Sequence, residues 1–208
     1  MTAGPETVDF AGLQIAFDHR VLRPREWTAH QSVWAAELLP RAPAGDVLEL
    51  CCGAGHIGLL AVCDSDRRLL CVDLNPAAVE LTRANAERAG MADRVGVRQG
   101  RISEVLEPDE RFAVIIADPP WVPRAQTSRF PDDPTLAIDG GDDGLAVVRE
   151  CLDAILQHLA PGGVALLQLG TLQQAHCVRR LADLTLLVPG EWREYGDRGV
   201  VLRLDRPW

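Results

Sequence analysis

The sequence predicts a doubly wound α/β fold on two observations. From residue 47 onward, short apolar runs alternate with helical stretches, and the chain closes on two apolar runs, 184–188 and 200–204, with no helical pattern between them. Strands that alternate with helices form a parallel sheet covered on both faces, because each parallel crossover uses a helix and each helix needs an apolar face to lie on. The closing pair puts one antiparallel strand at or near a sheet edge.

The elements run in order along the chain. After a short tail, residues 8–17 read as a small β-hairpin with Ala11-Gly12 near its turn. Arg23-Pro24-Arg25-Glu26-Trp27-Thr28 is an irregular connection. A helix then starts near Thr28 and runs through Ala36 to Leu39, with Val33, Trp34 and Leu38 as loosely periodic apolar positions. Val47-Leu48-Glu49-Leu50-Cys51 is a buried strand, and a Gly-rich turn leads into a helix over 57–62. Residues 69–73 form the next strand. Pro76 suits a first helical position and opens a helix through Ala89, which Gly90 closes. Further strands cover 95–99 and 112–117. A helix over 144–159 carries Leu145, Val148, Leu152, Ile155 and Leu156 on one face and ends at Pro161-Gly162-Gly163. A strand over 164–169, a helix over 172–181 and the closing strand pair complete the chain. No internal boundary is evident in 208 residues, so the expectation is one domain: a hairpin and helix over 1–45 and a core over 46–208.

Composition narrows the function. The formal charge is −9, which argues against a surface built to neutralise phosphates, although a local basic patch fits within it. All 21 basic residues are arginine, so a P-loop lysine, a pyridoxal Schiff base and a lysine nucleophile are excluded. No run of about 18 apolar residues is present to span a membrane, and the first residues lack the basic start and apolar core of a signal peptide. The cysteines, Cys51, Cys52, Cys63, Cys71, Cys151 and Cys177, match no zinc spacing. They read as reduced, mostly buried thiols of a cytoplasmic protein.

Gly53-Ala54-Gly55-His56-Ile57-Gly58 lies between a strand and a helix. Gly53 and Gly55 let the backbone bend and approach a ligand, and Gly58 lets helix pack on sheet. Asp73, ending the next strand, is placed to accept hydrogen bonds from ribose hydroxyls. The turn fits a dinucleotide or S-adenosyl-L-methionine. Glu49 favours the second, since a carboxylate aimed at the turn repels a diphosphate but helps to hold an aminoacyl end.

The run Phe112-Ala113-Val114-Ile115-Ile116-Ala117 ends in Asp118-Pro119-Pro120-Trp121. The Asp118 carboxylate and the Pro119 carbonyl are two acceptors at a strand end. The prolines stiffen the turn and remove competing N–H donors, and Trp121 offers a flat face for stacking. Two acceptors beside a flat wall suit an –NH2 group on an amide or a heterocycle. The plain alternative is a Pro-Pro turn with Asp as turn residue and Trp as core.

Together these motifs resemble the class I S-adenosylmethionine-dependent methyltransferases, and most closely the HemK-type family, which methylates a release-factor glutamine side chain. Val47-Leu48-Glu49-Leu50-Cys51-Cys52-Gly53-Ala54-Gly55 is similar to the family's nucleotide motif, and Asp73-Leu74-Asn75-Pro76 to its second motif. Arg23 to Thr28 is similar to its Pro-Arg-x-x-Thr opening. The stretch from Ala137 to Leu145, with the helix and Pro161-Gly162-Gly163 after it, resembles the segment beyond the family's Asn-Pro-Pro-Tyr signature. The resemblance spans nearly the whole chain from about Val8. It implies a Rossmann-like, seven-stranded methyltransferase sheet and S-adenosyl-L-methionine as cofactor. It implies cofactor contacts from Thr28, Glu49, Cys51, Gly53, Gly55, Asp73, Leu74, Arg101, Ile102 and Asp118, and a catalytic set of Asp118, Pro119, Pro120 and Trp121.

Four departures accompany it. Asp118 and Trp121 replace the family's Asn and Tyr, a version that resembles methyltransferases acting on the amino group of adenine. Cys51 stands where glycine is usual. Arg101 stands where an aspartate usually contacts the adenine side of the cofactor. Long family members carry an N-terminal helical domain that engages the release factor, for which these residues leave no room; short members lack it, and some work with a small partner protein. The acceptor stays open between a protein glutamine, a nucleobase amino group and a nitrogen on a small metabolite. Two other readings also stay open: a nicotinamide-dependent oxidoreductase using the same glycine turn, and a non-catalytic methyltransferase-like subunit.

Among the remaining residues, His56 follows Gly55, where it can face the cofactor, but reads first as a solvated helix start, and Cys52 reads as packing. The acidic segment between Pro123 and Gly144, with Asp132, Asp133, Asp139, Asp142 and Asp143, reads as a substrate-covering loop. Trp192, Tyr195 and Trp208 read as edge packing.

Overall fold

The computed structural model describes residues 4–208; the first three residues of the expected tail lie outside the described residues. A two-stranded hairpin, β1 (Glu6–Phe10) and β2 (Leu13–Phe17), turns at Ala11-Gly12, both with positive φ. After a 3-10 turn over Glu26–Thr28 comes α1 (Ala29–Leu38). The strand–helix repeat then runs β3 (Asp46–Leu50), α2 (His56–Val62), β4 (Leu69–Asp73), α3 (Pro76–Arg88), β5 (Val95–Gln99), α4 (Ile102–Val105) and β6 (Phe112–Ala117). It continues with α5 (Thr135–Ile138), α6 (Ala146–His158), β7 (Leu159–Leu169), α7 (Leu172–Ala182), β8 (Val188–Glu194) and β9 (Val200–Asp205).

The seven-stranded sheet has the order β5-β4-β3-β6-β7-β9-β8, with β9 antiparallel to both neighbours and the other pairings parallel. The expected lone antiparallel strand therefore sits next to the edge. Strand order reverses between β3 and β6, and such a switch point opens a crevice at the carboxyl ends of the strands. The Gly-rich turn and Asp118 both lie there.

Alternation along the strands divides the core in two. Val47, Val114, Ile116 and Leu166 face α1, α2, α3 and the hairpin, whereas Leu48, Leu50, Ile115 and Leu167 face α4, α6 and α7. Asn85, fully buried on α3, ties three elements together. Its side chain exchanges hydrogen bonds with both backbone groups of Ala16 in the hairpin (2.7 and 2.9 Å) and donates to the Ala54 carbonyl in the glycine turn (2.9 Å). The weak periodicity of α1 has a similar cause. Buried Gln31 donates to the carbonyls of Ala117 and Leu166, both at 3.1 Å, while Val33 is half exposed.

Several expected boundaries shift. Cys51 leaves the strand with φ +59°. The Pro161-Gly162-Gly163 stretch does not end a helix before a new strand; it lies inside β7 as an irregularity, with Gly162 at φ +74° and bonded to Arg206. Proline and glycine are tolerated in a strand at such bulges. Residues 184–188 do not form the first closing strand. Leu184 and Leu186 are exposed, and the strand begins at Val188, in the more polar run VPGEWRE along the sheet edge.

Candidate active site

Backbone geometry at the end of β3 shapes the site first. Cys51, Gly53 and Gly55 all have positive φ (+59°, +54° and +75°), so the chain turns back on itself before α2. A non-glycine residue in this region costs about 1 kcal/mol, which accounts for the glycine usual at position 51 in the resembling family. Under the turn, Glu49 is buried at 2 % exposure. It accepts hydrogen bonds from the Gly58 amide (3.0 Å) and the Cys71 thiol (3.4 Å). Burial pushes its carboxyl up to about 8. A Cβ at Gly58 would meet this carboxylate and one at Gly55 would meet Thr82, so these glycines serve close packing within the protein.

Asp73 closes β4. Its two carboxylate oxygens accept from the amides of Gly53 (2.8 Å) and Asn75 (2.9 Å). Burial raises its pKa, and those amides oppose the rise. Asp118 closes β6 half-buried, with no hydrogen-bond partner for its carboxyl among the described residues, and burial pushes that carboxyl up to about 7. Gln174 on α7 holds the backbone beside it, donating to the Trp121 carbonyl (2.9 Å) and accepting from the Gly170 amide (2.9 Å).

Two cavities meet at these strand ends. The first, about 280 Å³, is lined by Cys51, Gly53, Asp73, Leu74, Arg101, Ile102 and Asp118, among others. The second, about 260 Å³, is lined by Thr28, Asp118, Pro119, Pro120, Trp121, Trp27 and Phe130, with arginines 23, 25 and 198 also on its wall. The segment after Pro123 folds over both. It forms a 3-10 turn over Arg124–Arg129 and then α5, and the Val122 backbone bonds to Ile138 and Gly140. Leu136 and Ala137 reach the first cavity. Asp133 is bound by Arg25 at 2.7 Å, which ties the segment to the connection before α1.

Of the expected site residues, Glu49 and Gly55 line neither cavity. Strand alternation puts Glu49 on the α2 side with Val47, where the Gly58 amide and the Cys71 thiol are its partners. Thr28 reaches the second cavity, but its hydroxyl donates to the Arg25 carbonyl (2.7 Å). Arg101 is paired with Glu150 at 3.3 Å, and both line the first cavity. His56 is not solvated: it is 8 % exposed and lines both cavities. Leu22 and Phe130 carry no signal in the sequence, Trp27 stands at an unspecified position of the Pro-Arg-x-x-Thr-like stretch, and Glu150 lies off the apolar face of the 144–159 helix.

The first cavity suits a cationic nucleoside better than a diphosphate. Arg101 on its wall is engaged by Glu150, Asp73 and Asp118 line it, and the Gly53 amide is already spent on Asp73. A diphosphate site would need those amides free and facing the ligand.

The comparisons agree with this geometry. A family model described as methyltransferase small domain matches residues 32–130. The release factor glutamine methyltransferase of Geobacter sulfurreducens is 36 % identical over 171 residues, covering 79 % of this chain and 58 % of the relative. The ribosomal protein uL3 glutamine methyltransferase of Francisella tularensis is 26 % identical over 202 residues, 91 % of this chain and 61 % of the relative. The chain is similar to the HemK-type class I methyltransferases over most of its length. It spans about three fifths of the length of the curated HemK-type relatives it matches. Among solved structures, the hMettl16 catalytic domain in complex with the MAT2A 3′UTR hairpin 6 superposes with a TM-score of 0.73 at 13 % identity, over 94 % of this chain and 75 % of that one. A ribosomal protein L11 methylase from Lactobacillus delbrueckii gives 0.64 at 15 %, over 90 % and 83 %. These likenesses establish the Rossmann-like methyltransferase fold. HemK-type proteins use S-adenosyl-L-methionine as methyl donor. Among the described residues no helix is long and apolar enough to cross a membrane.

Proposed function

We propose that this chain transfers a methyl group from S-adenosyl-L-methionine to a planar amide or amino nitrogen, with a protein glutamine side chain as the favoured acceptor. The observation that carries the reading is Asp118, an unpartnered, half-buried carboxyl on the wall shared by two cavities. The named activities of the HemK-type relatives support the glutamine acceptor. The three aromatic side chains of the second cavity, Trp27, Trp121 and Phe130, favour a nucleobase amino group as the second reading.

When bound, the donor supplies an electrophilic methyl on a sulfonium. Asp73 would hold the ribose, with Gly53, Leu74 and Ile102 around the nucleoside. Asp118 and the Pro119 carbonyl would accept the two N–H groups of the acceptor, and Trp121 would stack on its plane and exclude water. An amide nitrogen is a poor nucleophile because its lone pair is delocalised. Hydrogen bonds that favour a pyramidal nitrogen strengthen as charge develops, so they act on the transition state. The nitrogen turns acidic only once methylated, and Asp118 can then take its proton or pass it to water.

Calorimetric titration tests the donor assignment. The chain is expected to bind S-adenosyl-L-methionine and its demethylated product, and neither NAD nor NADP. The opposite pattern would make the site that of an oxidoreductase.

The burial of Asp118 also makes the reaction pH-dependent. With its carboxyl at about 7, the group is mostly protonated below that pH and a carboxylate above it. The neutral acid carries a proton of its own where the acceptor's N–H must point; the carboxylate only accepts. Since kcat/KM tracks the titration of the free enzyme, it should rise with pH through about 7 and then level off. In Asp118→Asn that rise should vanish. A wild-type profile that stays flat from about one unit below to one unit above would contradict the role of this ionisation.

A further inference from the structure

Leu22, His56, Asp118, Pro120 and Ala137 line both cavities. Only two of these side chains carry polar atoms. Asp118 accepts, which leaves His56 as the one side chain at the junction with an N–H to give. Its ring stands edge-to-face against Phe10 of the hairpin, with centroids 4.8 Å apart and planes at 87°. Neither ring nitrogen has a hydrogen-bond partner among the described residues, and Nδ1 is sealed from solvent. Burial keeps the ring neutral, lowering its pKa to about 4. A neutral imidazole carries a single hydrogen. Nε2, unlike Nδ1, is not sealed, so the tautomer with the hydrogen on Nε2 is the one whose N–H a ligand can reach, with Nδ1 left as the buried acceptor.

The junction is also where the far end of the methyl donor must lie. With the ribose at Asp73 and the reacting sulfur turned toward the acceptor beside Asp118, the aminoacyl group extends past the sulfur to the shared wall. Its carboxylate needs a donor there. Arg101 is paired with Glu150, and Glu49 lies under the turn, lines neither cavity and has no N–H to offer. We infer that the Nε2–H of His56 binds the carboxylate of the aminoacyl end of the methyl donor, with the hairpin fixing the ring through Phe10. The inference rests on the first cavity being the donor site.

Two nucleosides separate the possibilities: S-adenosylhomocysteine, which has the aminoacyl end, and 5′-methylthioadenosine, which shares the adenosine and thioether but lacks that end. In calorimetric titrations His56→Leu should weaken S-adenosylhomocysteine by about ten- to a hundredfold, the scale of losing a hydrogen bond to a charged group, and leave methylthioadenosine unchanged. His56→Asn, too short to reach, should show the same selective loss. His56→Gln, whose amide retains an N–H at similar reach, should recover most of the affinity. Equal weakening of both nucleosides, or of neither, overturns the His56 assignment and leaves the donor reading standing. A wild-type chain that binds neither overturns both.

Discussion

Asp118→Ala is expected to lower turnover at least a hundredfold while leaving affinity for the methyl donor largely intact. That is the scale on which loss of a positioned polar or acid–base group acts. The split between turnover and binding has a structural reason. Among the described residues nothing hydrogen-bonds to the Asp118 carboxyl, so truncation unpairs no neighbour and the crevice should keep its form. The group's partners arrive with the acceptor, and its hydrogen bonds gain most as charge develops on the nitrogen. Asp118→Asn should retain part of the activity, because an amide oxygen still accepts one hydrogen bond. Single-turnover rates with saturating donor provide the test. Near-normal turnover in Asp118→Ala on the true substrate would mean that the acceptor nitrogen is held elsewhere.

Asp73→Ala should act on the other half of the reaction, weakening donor binding by about 1–3 kcal/mol. Two effects add. The ribose hydroxyls lose their acceptor, and the Gly53 and Asn75 amides, now paired to Asp73 at 2.8 and 2.9 Å, lose theirs. The first effect is specific to ligands with a ribose; the second loosens the turn itself. Asp73→Asn, which keeps one acceptor oxygen, should fall between wild type and alanine in a titration with S-adenosylhomocysteine. Unchanged affinity in Asp73→Ala would move the ribose away from the end of β4.

Much of this frame is legible before any coordinates. Residues 69–73, 95–99 and 112–117 match β4, β5 and β6 to the residue, because runs this short, bounded by turn residues, have the length of strands rather than of helices. Asp73 and Asp118 are legible for the same reason: they end such runs, and strand ends at a switch point face the crevice. Other features depend on contacts distant in sequence. Glu49 stands in a motif, but the face it occupies is decided by α2 packing over β3. His56 resembles an exposed helix start until the hairpin lays Phe10 against it. Pro161-Gly162-Gly163 has the composition of a turn and becomes a bulge because β7 pairs on both sides of it. β8 is an edge strand with polar residues, so its apolar signal is weaker than that of exposed Leu184 and Leu186 just before it.

The most direct test of methyl transfer to a planar nitrogen uses S-adenosyl-L-methionine labelled in its methyl group. The chain and its Asp118→Ala variant would each be incubated with cell extract, and the label sorted into protein, nucleic acid and small-molecule fractions. Label in the protein fraction, recovered as a methylated glutamine side chain and absent with Asp118→Ala, is the predicted result. Label on oxygen or carbon, or equal labelling by wild type and Asp118→Ala, would contradict it.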